Sequence, residues 1–137
     1  MAPTPETRST SGLAIGFTYF AAIVMMMVGT FHAIMGLAGI LENQFFVVTR
    51  NYAFEFDATA WGWIHLLAGA IVIFAAVGLF NGSVWARTVG VTMAVISAIA
   101  NFGFIPYYPV WSIVVIALDI AVIWALTAHG RDIAASQ

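Results

Sequence analysis

The chain has no cysteine, which excludes disulfides, thiolate zinc sites, iron–sulfur clusters and thioether-linked haem. It has no lysine either. Its four basic residues are arginines, and with a formal net charge of −2 they cannot neutralise a phosphate backbone, so a nucleic-acid partner is excluded. Charged residues make up 7% of the sequence, against about 25% in a soluble domain. A globule in water covers its surface with polar groups, and this chain lacks them. What is present is apolar: 63% of the residues are hydrophobic and the mean hydropathy is +1.01. That content also excludes intrinsic disorder. An integral membrane protein remains, with the lipid bilayer as its main partner.

Crossing a hydrocarbon core of about 30 Å takes about 20 apolar residues at 1.5 Å each. Four segments qualify: about Leu13 to Leu41, Trp61 to Phe80, a slightly short stretch from Thr88 to Phe104 stopped by Pro106, and Val110 to just before His129. The first far exceeds the roughly 7–15 apolar residues of a cleaved secretory signal and reads as an uncleaved anchor helix. The chain thus divides into a Pro- and Thr-rich leader at 1–12, expected to be cytoplasmic and disordered, a transmembrane domain at 13–128 and a cytoplasmic tail at 129–137. An even number of spans puts both termini on one side. Arg8, Arg87 and Arg131 share that side and only Arg50 lies opposite, so the positive-inside rule predicts a multi-pass plasma-membrane protein with both termini in the cytoplasm.

The predicted fold is an all-α, four-transmembrane-helix bundle with a short external aromatic β-hairpin-like loop. The loop prediction rests on period two: Tyr52, Phe54 and Phe56 alternate with Ala53, Glu55 and Asp57, and Phe45 to Val48 supplies a partner strand. Asp57 or Thr59 is placed to cap the second helix. Trp61, Trp63 and Trp111, with Tyr107 and Tyr108 between Pro106 and Pro109, read as an interfacial aromatic belt.

The informative residues are the polar ones inside the spans, because a charge at the bilayer centre costs at least about 2.5–3.5 kcal/mol and needs partners. His32, His65, Asn101 and Asp119 all fall in the outer half of the membrane. His65 lies about 6 Å below Trp61 and Asp119 about 14 Å below Val110, near mid-membrane, at 1.5 Å per residue. His32 comes level with His65 only if the first span extends beyond the bilayer. Three helices carry the polar group on a stripe of small residues: Gly29, Gly36 and Gly39 beside His32, Ala68 and Gly69 beside His65, and Gly90, Ala94, Ser97 and Ala98 beside Asn101. Small residues let helix backbones approach, so these groups should face the bundle interior. On the fourth helix Ser112 and Asp119 lie opposite an alanine ridge, Ala117, Ala121 and Ala125, which is expected to meet a second subunit or another membrane protein. His129 reads as a helix-end residue.

Two readings of the polar set stand side by side. In one, Asp119 accepts hydrogen bonds from His32, Ser97 or Asn101 and the network fixes helix register. In the other, the set handles protons or holds a small ligand beneath the aromatic loop. No catalytic residue, metal site or cofactor is expected. Haem and quinone are the two cofactors weighed, and the second histidine pair usual in four-helix b-type cytochromes is missing. The first functional expectation is a non-catalytic accessory or scaffold subunit that packs against other membrane helices. The alternatives are a small proton-coupled transporter or channel component using Asp119 with His32 or His65, and a lipid- or quinone-binding membrane enzyme.

The segments Asn51 to Phe54, Trp61-Gly62-Trp63-Ile64-His65-Leu66, Trp85-Ala86-Arg87, and Asn101 through Pro106-Tyr107-Tyr108-Pro109-Val110-Trp111-Ser112 to Asp119 resemble a group of small four-helix actinobacterial membrane proteins classed as a domain of unknown function. The likeness covers about residues 13–128. It implies a plasma-membrane protein of four helices and brings no activity, cofactor or catalytic residue.

Overall fold

A computed structural model describes residues 12–41 and 57–128, apart from the side chain of Ala14. Among the described residues the chain is entirely helical: α1 (Gly12–Leu41), α2 (Ala58–Phe80), α3 (Val84–Phe104) and α4 (Pro109–Ala128). Each is long and apolar enough to cross a membrane. The leader, the tail and the hairpin expected over Phe45 to Asp57 lie outside the described residues, Asp57 excepted. No strand occurs among the residues described, so the structure gives the hairpin no support.

α2 and α3 begin three and four residues before the apolar runs do, α2 because Asp57 caps it and α3 because the turn at Gly82 leads straight into it. The Asp57 carboxylate accepts from the backbone N–H of Thr59 at 3.1 Å and of Ala60 at 3.2 Å, satisfying two donors that the helix start leaves free. Asp57→Ala is expected to lower stability by about 1 kcal/mol, measured by denaturant titration in detergent; no change would mean that the first turn frays. At the other end of α2 the N–H of Ser83 bonds Gly78 O at 2.9 Å and that of Gly82 bonds Leu79 O at 3.0 Å. Gly82 adopts φ 70, a left-handed conformation that suits a residue without Cβ. This turn reverses the chain into α3. Between α3 and α4 the N–H of Tyr108 returns to Phe104 O at 2.9 Å, and Pro109 takes the first position of α4, where its missing N–H is harmless.

α1 packs most extensively on α2, and α3 on α4; α2–α3 and α1–α4 contacts are smaller and close the bundle. The connections α1–α2 and α3–α4 share one end, called here the loop end, and the other is the termini end. The apolar core sits at the termini end, where Ala21, Ala22, Ala75, Ala76 and Ala86 are fully buried around Leu126. Gly90 belongs to the same plug: a Cβ there would meet Leu126 Cδ1 and Met25 Sδ at 2.9 Å. Phe17 and Trp124 meet edge-on at 4.8 Å and join α1 to α4 at this end. Elsewhere polar side chains fold back on their own helix, as Thr30 does to Met26 O at 2.8 Å and Thr127 to Ile123 O at 2.7 Å, which meets their hydrogen-bonding needs without water.

Candidate functional site

The α1–α2 seam is built on glycine. A Cβ at Gly29 would lie 3.0 Å from Gly69 O, one at Gly36 would lie 2.6 Å from Gly62 O, and one at Gly62 would lie 2.7 Å from Gly36 O. Backbone therefore touches backbone at two levels about two turns apart, and no side chain exists there to yield. His32 and His65 sit between those levels in the same antiparallel register. The close approach brings Nδ1 of His32 within 2.8 Å of Nδ1 of His65, the rings side by side with centroids 4.9 Å apart and planes within 11° of parallel. One imidazole must donate from Nδ1–H while the other accepts at Nδ1, so the neutral pair holds one hydrogen between the two helices. Trp61, one turn nearer the loop end, covers His65 with ring centroids 3.9 Å apart.

Register decides the depth of this pair. With α2 starting at Ala58, His65 lies about 10 Å from the helix start, deeper than the 6 Å read from the apolar run, and level with His32. Trp61 leaves the expected aromatic belt and turns inward, whereas Trp63, Tyr107, Tyr108 and Trp111 remain exposed at the loop end.

The α3–α4 seam carries the second polar group. Ser97 on α3 lies beside the carboxyl of Asp119 on α4, about 15 Å from the start of α4. Asn101, expected to join that network, donates from Nδ2 to Ser97 O at 3.0 Å, within its own helix. Among the described residues, Oδ2 of Asp119 and Oγ of the fully buried Ser112 have no hydrogen-bond partner. Each such atom is costly in hydrocarbon.

The six candidate polar residues thus do not share one pocket. Four of them fall into two pairs, His32–His65 between α1 and α2 in the loop-end half and Ser97–Asp119 between α3 and α4, with Asp119 at the middle of its helix, and among the described residues no hydrogen bond joins one pair to the other. The groove on the surface of α1 beside Met26, Thr30, Phe31 and Ile34 touches neither. The expected alanine ridge is also corrected: Ala117 is exposed and Ala121 half-buried, but Ala125 is 1% exposed. A spacing of four residues drifts around a 3.6-residue helix, and by Ala125 it has carried the ridge into the plug. Gly62, the opposing surface for Gly36, went unread in the sequence because it sits inside the aromatic Trp61-Gly62-Trp63 run. A search for small residues spaced seven apart, pairing Gly62 with Gly69 against Gly29 with Gly36, would have found it.

The 2.8 Å separation also bears on haem. A metal between two imidazoles, with bonds of about 2.0–2.1 Å as for zinc, needs nitrogens about 4 Å apart; the two Nδ1 atoms at 2.8 Å suit a shared hydrogen and leave no room for a metal between them. Among the described residues no cluster of three or more histidine or acidic residues is placed to hold a metal ion.

A family model for a domain of unknown function, DUF7144, matches residues 17–131. No curated protein and no solved structure matches the chain. Four membrane-length helices and a match over most of its length make this chain a member of the DUF7144 family.

Proposed function

We propose that the protein is a non-catalytic accessory or scaffold subunit of the plasma membrane, with both termini in the cytoplasm. The observation that carries this reading is that the polar side chains inside the spans meet neighbouring helices of the same chain: His65 hydrogen-bonds His32, and Ser97 lies beside Asp119. These contacts act as clasps that hold two helical hairpins in register. The termini end is filled by packed alanine, leucine and methionine, which offers a proton or solute no polar path across that half. Only 11% of the α3 span and 22% of the α4 span is buried within the chain, against 33% for α1, so α3 and α4 offer the surface for a second subunit or another membrane protein. Exposed Ala117 and half-buried Ala121 give that surface its small residues.

Extracted in mild detergent, the tagged chain is expected to run as a complex larger than itself with a stoichiometric partner. Recovery as a lone monomer that moves protons into liposomes, with flux lost in Asp119→Asn, would replace this reading with the proton-coupled one. The orientation has its own test, simplified because the chain has no cysteine. Arg50→Cys should react with an impermeant thiol reagent in intact cells, and Ser136→Cys only after permeabilisation; the reverse pattern inverts the topology.

A further inference from the structure

The imidazole pair between α1 and α2 carries an inference that does not depend on which partner the protein has. Hydrogen bonding at Nδ1 leaves the two Nε2 atoms to complete the tautomers. The ring that donates from Nδ1 has a bare Nε2, and the ring that accepts at Nδ1 carries its hydrogen on Nε2. An added proton therefore has one place to go, the bare Nε2. It makes that ring an imidazolium whose Nδ1–H still points at its neighbour, and the bridge becomes a charge-assisted hydrogen bond, stronger than the neutral one. If the bridging hydrogen then crosses to the other Nδ1, the charge moves to the other ring and both Nε2 atoms carry hydrogen. The 2.8 Å geometry survives either way. Trp61, whose ring centroid lies 3.9 Å from that of His65, offers a π-face to the positive charge.

A second proton meets a different situation. It has to occupy the remaining Nδ1 lone pair, the one that accepts the bridge. Two cations would then face each other through N–H groups at a distance that suits only a donor and an acceptor. The bridge must open, and His65 and His32 must part.

The groups around the pair leave it little other control. From α1 the titratable group is His32, and from α2 it is His65, each the other's partner. Trp61 does not titrate. From α3 and α4 no described titratable or charged group acts on the pair, and Asp119 is engaged by Ser97 in the other seam.

We propose that His32 and His65 together form a one-proton site in the loop-end half of the membrane, closed with no added proton or with one, and open with two. It gives the α1–α2 clasp an acid-sensitive release on the side that the proposed topology exposes to the exterior.

The test uses the full chain in lipid vesicles with nitrogen-15-labelled histidine. Only three histidines are present, and His129→Gln leaves the pair alone in the spectrum. A nitrogen–nitrogen coupling across the bridge is expected at neutral pH, needing no further variant. On acidification the pair should titrate in two steps separated by more than about one pH unit. The coupling should persist through the first step and vanish at the second, together with a change in Trp61 fluorescence that is missing in Trp61→Phe. His65→Asn should leave His32 with a single step. Absence of the coupling at every pH, or two imidazoles that titrate independently with one midpoint, would overturn the proposal.

Discussion

Gly36→Leu is expected to force α1 and α2 apart and to abolish the His32–His65 hydrogen bond without touching either histidine. A Cβ at this position already falls 2.6 Å from Gly62 O and meets the Leu66 backbone more closely still. Both are main-chain atoms of a helix and cannot rotate away. Overpacking a well-fitted interior costs about 1–3 kcal/mol where side chains can adjust. With backbone on both sides the loss should reach at least about 3 kcal/mol, seen as a lower midpoint in denaturing-detergent titration and as loss of the nitrogen–nitrogen coupling. Gly16→Leu is the control. Nothing lies within 4 Å of a Cβ at Gly16, so its effect should stay within about 0.5 kcal/mol. If both variants behave alike, glycine contact is not what holds the hairpin.

The second large effect concerns Asp119. On the insertion scale a mid-span aspartate is unfavourable by about 2.5–3.5 kcal/mol and a leucine favourable by about 0.3–0.6, so Asp119→Leu should improve insertion of α4 by about 3–4 kcal/mol. Folding responds differently. The substitution removes the carboxyl beside Ser97, including Oδ2, a buried oxygen with no partner among the described residues. Deleting one half of a buried polar pair strands the other. Ser97→Val leaves a mid-span carboxyl without its neighbour and should destabilise the chain by about 1–3 kcal/mol, whereas Asp119→Leu leaves only a hydroxyl, which can bond a carbonyl of its own helix, and should cost less. A glycosylation-site insertion assay measures the first quantity and detergent unfolding the second. Greater loss in Asp119→Leu than in Ser97→Val would show that the carboxyl does something beyond clasping α3 to α4.

Much of the fold was legible before any coordinates, since length and hydropathy alone locate four spans, and the termini of α1, α3 and α4 at the loop end were read within a residue or so. The start of α2 was legible in Asp57 as its cap, ahead of the apolar run, whereas the start of α3 was missed because the Gly82 turn and the residues after it lie outside the apolar run that defines the span. Depth was readable only as far as the helix boundaries were: His65 proved deeper once α2 was seen to start at Ala58, and His32, His65 and Asn101 lie toward the loop end while Asp119 sits at the middle of α4. Rotation was not. A stripe of small residues says that a helix face meets something, but not which helix. His32 could be assigned to α2 only once Gly36 was seen to meet Gly62, and this same contact holds the histidines away from the α3–α4 seam. The expected single network became two pairs for that reason. Ala125 was misread through accumulated drift over two four-residue steps.

The idea that most needs testing is that the in-span polar residues act as two independent clasps, and a pair of double-mutant cycles addresses it directly. Detergent unfolding of His32→Phe, His65→Phe and the double variant should give a coupling energy of about 0.6–1.7 kcal/mol, the range found for hydrogen bonds between membrane helices. The cycle of His65→Phe with Asp119→Leu should be additive within about 0.3–0.5 kcal/mol. Strong coupling between His65 and Asp119, with none between His32 and His65, would contradict the two-clasp account and restore a single shared site.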